Sequence, residues 1–265
     1  MGLRTILRNI KNGNIYRSRK SYYDRNSFLK SIPKELKILE IGPFFNPVHK
    51  GEKVKYFDIE NREDLVVRAK ELDPTFKVEN IPYIDYVSPS ADLTIIKEIF
   101  EAIYSSHVIE HQFDLIDHLQ KTSDLLPVGG KYYLIVPDKR YCFDHFQQIS
   151  TIADVISAHF EKRKKHTLKS LLEHRVLATH NDPVLHWKGN HGKLTDKVIK
   201  IKKAIAEYEE RDLIDTHAFY FTPDTFIEIM NLLYELDYIN FKVERIHKTP
   251  KNNFEFYCVL EKTES

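Results

Sequence analysis

Acid–base residues in this chain gather where apolar runs end. Asp58 closes VKYFD, eighteen residues after Glu40 in ILEIG. Ser105, Ser106 and His107 close EAIYSSH, and His111 follows four residues later. Asp138, Arg140, Tyr141 and His145 follow the run KYYLIVP, and His217 stands in DTHAFYFTP. A carboxylate at a strand end can accept hydrogen bonds from both hydroxyls of a ribose. A histidine is matched to proton transfer near neutral pH. An arginine beside Lys139 can grip a phosphate through a planar fork and a point charge. The chemistry these types allow is nucleoside recognition joined to removal of a proton from a polar acceptor.

Such groups meet only if the runs are adjacent parallel strands of one sheet, with ligand groups at their carboxyl ends. KILEIG, VKYFDI, NIPYIDYV, EAIYSSHV and KYYLIV are rich in Ile, Val, Tyr and Phe, as buried parallel strands are. Gly42 ends the first run, where a missing side chain allows close backbone approach. Asp85 is expected to end the third strand and to accept from an adenine amino group. Phe113 to Leu126 reads as a helix stopped by Gly129 and Gly130. Thr222 and Pro223 start a second core helix, the hydroxyl capping it and the proline suiting its first turn. INFKVERI and FEFYCVLEK close the chain as an antiparallel pair, because a short turn cannot make a parallel crossover. Only eleven residues separate Gly42 from Val54, too few for a full crossover helix, so a compact loop around Pro47 is expected there.

The motifs resemble those of class I S-adenosylmethionine-dependent methyltransferases. LEIGPFFNP is similar to the first motif of that family, with Glu40 and Gly42 at its acidic and glycine positions and Pro43, Phe44 and Asn46 following. YFDIE is similar to the second, with Asp58 as ribose ligand and Ile59 beside it. SSHVIEHQFD and LLPVGGKYYLIVPD resemble the fourth-strand and fifth-strand motifs. PDKRYCFDHF resembles a subgroup found in bacterial capsule and surface-polysaccharide gene sets. The resemblance implies S-adenosyl-L-methionine as cofactor. It also implies O-methylation of a small polar acceptor, such as a sugar, a nucleotide-linked or a phosphorylated intermediate. Its expected cofactor residues are Glu40, Gly42, Pro43, Phe44, Asn46, Asp58, Ile59, Asp85, Ser105, Ser106 and His107. Its expected catalytic residues are His107, His111, Asp138, Arg140, Tyr141, His145 and His217. The second glycine of the family's first motif is Phe44 here. That also counts against a nicotinamide enzyme, whose pyrophosphate needs glycine at this turn.

The fold class expected is α/β, a doubly wound, Rossmann-like sheet of seven strands. Residues 1–34 form a basic helical arm, 35–145 the cofactor-binding core, 146–214 a helical lid and 215–265 the closing helix and strand pair, all within one domain, 1–265. Residues 1–37 carry ten Lys or Arg against two acids, with Tyr16, Tyr22 and Tyr23 interleaved. Such an arm can hold an anionic partner. That leaves a nucleic-acid methyltransferase as the alternative reading, and a non-catalytic cofactor-binding module as a third. The net charge of +1 does not favour nucleic acid. At 42% hydrophobic and 30% charged the composition is that of a globular protein. Two distant cysteines, Cys142 and Cys258, make no disulfide framework and suit a reduced, cytoplasmic setting. No metal is expected. His107, His111 and Asp114 on the one hand, and His180, Asp182, His186 and His191 on the other, lack the spacing of a known signature. Trp187 stands in that second group as a residue that can stack on a sugar or anchor the lid.

Overall fold

Alternation along the first strand decides which layer covers which face. In β1 (Ile38–Ile41), Leu39 and Ile41 point to one side of the sheet while Ile38 and Glu40 point to the other. All four are buried, as a central parallel strand requires. The computed structural model describes residues 24–211 and 214–264. Within them, β1 is joined in one sheet by β2 (Val54–Asp58), β3 (Tyr86–Val87), β4 (Ala102–Ser106), β5 (Lys131–Pro137), β6 (Phe241–His247) and β7 (Glu255–Lys262). The order is β3-β2-β1-β4-β5-β7-β6. Strands β1 to β5 run parallel, and β7 inserts antiparallel between β5 and β6. This is the doubly wound, Rossmann-like sheet the sequence predicts.

Register brings the strand ends level. Ile41 lies opposite Phe57 on one side and Ser105 on the other. Gly42, Asp58 and Ser106 are therefore neighbours at one edge, where the strand order turns back from β1 to β4. Open α/β sheets bind ligands at this switch point.

One face of the sheet is covered by helices α3 (Leu115–Asp124), α4 (Ile152–Phe160) and α8 (Pro223–Glu235). Asp114 caps α3 by accepting from the Asp117 amide, and Thr222 caps α8 with Pro223 in its first turn. Helix α4 buries Val155 and Ala158 in this same core, so the first helix of the expected lid is a wall of the main domain. On the other face, α1 (Arg25–Leu29) drives Phe28 between Tyr133 and Tyr257, with Ile32 beside it. α2 (Arg62–Leu72), after β2, packs Leu65 and Ala69 near that edge, against Ile81 and Ile84. Helices α5 (Leu168–Leu177) and α7 (Lys197–Glu210) pair through Leu171 and Ala204, with the short α6 (Pro183–Trp187) between them. Most of the expected basic arm, with Tyr16, Tyr22 and Tyr23, lies outside the described residues.

The third strand corrects the sequence reading. It is the two-residue segment Tyr86–Val87, so Asp85 precedes it. The β1–β2 connection, as expected, is a loop. The Glu40 carboxylate holds it by accepting from the amides of Val48 (2.9 Å) and His49 (3.0 Å). No helix among the described residues is long and apolar enough to cross a membrane.

Candidate active site

A cleft of about 840 Å³ opens over the ends of β1, β2 and β4. Its floor is the turn at Gly42. That residue has φ +67°, a left-handed conformation that costs any residue with a Cβ. A Cβ here would also come within 2.7 Å of Val108 Cγ2. Phe44 and Ile59 line the same end, and the Arg68 guanidinium lies 4.9 Å from the Phe44 ring centre. Asp58 is 7% exposed, and its carboxylate accepts from the Ile59 amide at 2.7 Å. Burial raises its pKa to about 6, against the lowering effect of nearby backbone amides. Beyond it, Pro89, Ala91 and Leu93, which follow β3, give an apolar wall suited to a planar base.

The other end of the cleft is polar, formed by His107, His111, Gln112, His166, Arg211 and Asp215. His107 follows β4 directly, and His111 ends the short turn Ile109–His111 beyond it. His107 has φ 56°, and its Nε2 hydrogen-bonds Glu255 at 2.7 Å while Nδ1 lies 3.5 Å from Glu110. Burial disfavours charge on this ring, but the two carboxylates outweigh it and hold the pKa up at about 9. His111 Nδ1 lies 3.0 Å from the Asp215 carboxylate, which this contact holds below the ordinary range. His217 sits behind His111, its ring centre 4.6 Å away and its Nδ1 2.7 Å from Asp144. Glu110 lies at the centre, with no exposed surface.

Several expected ligands are used elsewhere. Glu40 is on the opposite face of the sheet and serves the 42–53 loop; burial raises its pKa to about 7. Asp85 stands away from the cleft and is taken up by Lys55 Nζ (2.8 Å) and the Tyr56 amide (3.0 Å). Pro43 is buried and Asn46 exposed, and neither lines the cleft. Ser105 points into the core, where its hydroxyl and His118 Nε2 both meet the Tyr132 hydroxyl. Ser106 accepts from Arg25 at 2.7 Å on the other face.

The group after β5 is also apart from the cleft. Asp138 is wholly buried and takes a bidentate pair from Arg140 (2.8 and 2.6 Å) and the Thr249 hydroxyl. Asp144 takes His217 and not Arg140. Arg140 lies over Tyr141, which stacks on Trp187 at 4.0 Å, and the indole N–H donates to Asn253. Trp187 thus anchors its loop. His145 Nδ1 donates to the Arg140 carbonyl, and the ring stacks on His191. Asp114 and Asp182 cap helices, and His186 Nδ1 meets His191 Nδ1 at 3.0 Å. Residues the sequence reading left out are Arg68, His166, Arg211 and Asp215. They come from outside the strand-end motifs, so no local pattern marked them.

No family profile matches the chain, and no curated protein does. Solved structures align over most of its length. An S-adenosylmethionine-dependent methyltransferase from Mesorhizobium loti covers 91% of this chain and 98% of its own, at 13% identity and a TM-score of 0.45. The CcbJ methyltransferase from Streptomyces caelestis covers 89% and 87%, at 11% identity and 0.45. The PH0226 protein from Pyrococcus horikoshii covers 89% and 85%, at 14% identity and 0.45. At identities and scores this low, likeness assigns no activity to the chain.

Proposed function

We propose that this chain is an S-adenosylmethionine-dependent methyltransferase acting on a small polar acceptor. The observation that carries the reading is one cleft holding the bare turn at Gly42, the buried Asp58 carboxylate and a histidine-rich far wall. When bound, S-adenosylmethionine would supply an electrophilic methyl group on a cationic sulfur. Asp58 would hold the ribose diol. Gly42 and Phe44 would receive the nucleoside against backbone, and Pro89, Ala91 and Leu93 would cover the adenine. The polar end, at His107, His111 and Asp215, faces where the methyl group would lie and suits a hydroxyl-bearing acceptor.

The chain's contribution to rate is then alignment and exclusion of water. The Glu110 and Glu255 carboxylates raise the pKa of His107 to about 9, which favours a charge-holding role over that of general base. Proton removal falls to the group of histidines and carboxylates around Glu110. The acceptor favoured is a sugar, a nucleotide-linked or a phosphorylated intermediate of a bacterial surface polysaccharide, methylated on oxygen. This finer reading is supported by PDKRYCFDHF and by the polar far wall. Calorimetric titration with S-adenosylhomocysteine tests the cofactor, with binding expected and its absence fatal to the reading. Mass spectrometry of candidate nucleotide sugars, supplied with cofactor, tests the acceptor by the gain of one methyl group.

A further inference from the structure

Glu110 is the most anomalous side chain of the site. It is fully buried, and its carboxylate oxygens make no close hydrogen bond; the nearest ring nitrogen is His107 Nδ1, 3.5 Å from Oε1. Burying an ionised carboxylate requires compensating positive charge or a metal. Two imidazoles point their free nitrogens at one of its oxygens. His217 Nε2 lies 3.9 Å and His111 Nε2 4.0 Å from Glu110 Oε1. Each ring gives its other nitrogen to a carboxylate, His217 Nδ1 to Asp144 at 2.7 Å and His111 Nδ1 to Asp215 at 3.0 Å. An Nδ1–H donated to a carboxylate leaves a lone pair on Nε2, and that lone pair is what a metal takes. This outer-carboxylate arrangement is the usual support of a metal-bound histidine. The three ligand atoms lie within 4.8 Å of one another.

We propose that Glu110, His111 and His217 bind one divalent first-row transition ion, of the zinc or manganese kind, at the inner end of the cleft. Metal–ligand bonds near 2.1 Å with tetrahedral angles put ligand atoms about 3.4 Å apart. The observed 3.9 and 4.0 Å close to that with side-chain shifts of a few tenths of an ångström. Two imidazoles and one carboxylate suit such an ion better than magnesium or calcium, which take oxygen ligands. Of the three ligands His111 lines the cleft, with Glu110 and His217 buried behind it. His107 stands beside the site, its Nδ1 3.5 Å from the same Glu110 oxygen. A bound ion would hold an acceptor oxygen and ease its deprotonation. That role rests on the methyl-transfer reading; the binding of the ion does not.

The test titrates metal-stripped protein with Co²⁺ and Zn²⁺, following visible absorption and bound metal per chain. One equivalent is expected, with His111 and His217 as nitrogen ligands. Glu110→Gln should weaken uptake more than tenfold, and Asp144→Asn by about 10- to 100-fold through the His217 ring it supports. Thermal unfolding checks that both variants remain folded. His145, His186 and His191 also bring ring nitrogens together, so His191→Ala is the control and should keep full uptake. Failure of the native chain to take up metal, or equal uptake by the native chain and Glu110→Gln, overturns the site. So does loss of uptake in His191→Ala. Parallel calorimetry with S-adenosylhomocysteine separates the two ideas: metal binding without cofactor binding would keep the site and discard methyl transfer.

Discussion

Replacing Gly42 by alanine should damage the cleft through two separable terms. The first is the backbone: a Cβ at φ +67° costs about 1–2 kcal/mol in the left-handed region. The second is contact, since the new methyl would stand 2.7 Å from Val108 Cγ2, well inside the ordinary carbon–carbon approach. Val108 can yield by leaving its rotamer, at about 0.5–1.5 kcal/mol. Together these give a loss of roughly 2–3 kcal/mol, or about 4–10 °C in Tm for a chain this long. Urea unfolding of Gly42→Ala, Val108→Ala and the double variant separates the terms. Removing Val108 Cγ2 relieves the contact but not the backbone, so the double variant should be more stable than additivity predicts by about 0.5–1.5 kcal/mol. It should still fall short of Val108→Ala alone. A Gly42→Ala protein that melts with the native chain would refute the strain, and strict additivity would refute the contact.

Asp58→Ala should weaken S-adenosylhomocysteine binding by roughly 10- to 150-fold, the worth of hydrogen bonds to a charged acceptor, as read by calorimetry. Unchanged affinity would remove Asp58 from ribose recognition. Glu40, with a pKa raised to about 7, binds its proton more tightly folded than unfolded, so its burial cost is full above pH 7 and gone below about 4.5. Glu40→Gln, which keeps one acceptor oxygen for the loop amides, should therefore match or exceed native stability at pH 8, by up to about 3 kcal/mol, and lose most of the advantage at pH 5. His118 shows the opposite sense. Burial lowers its pKa to about 3, so the unfolded chain binds the extra proton below 6.5 and stability falls as pH drops from there. His166 and His247, both lowered to about 4, add to that slope. Urea unfolding at pH 7, 6 and 5 should show stability falling less for His118→Gln than for the native chain, the difference growing towards about 1.4 kcal/mol per pH unit below pH 6.

The central strands were legible because each is a β-rich apolar run ending in a polar residue. The helix-free β1–β2 link followed from counting eleven residues. Strand β3 was misplaced because two residues have no periodicity to read, and Asp85 was carried with it. The cleft was legible only where its lining follows strand ends, as at Gly42, Asp58, His107 and His111. Asp215 and Glu255 reach His111 and His107 from the far end of the chain. What distinguishes Glu110 is burial among three imidazoles, a property of the packed molecule. Arg140 pairs with Asp138, and Asp144 with His217.

The link between Phe28 and Tyr257, and between Arg25 and Glu255, spans almost the whole polypeptide. A ribosome releases the segment around Phe28 long before the strand that receives it. Until β7 slots in between β5 and β6, that segment has no finished surface to settle on. Closure of such distant contacts is slow in folding. The first described helix to be made thus completes its packing only when β7 arrives, and a chain cut short before β7 would keep the Tyr133 side of the Phe28 contact and lose the Tyr257 side.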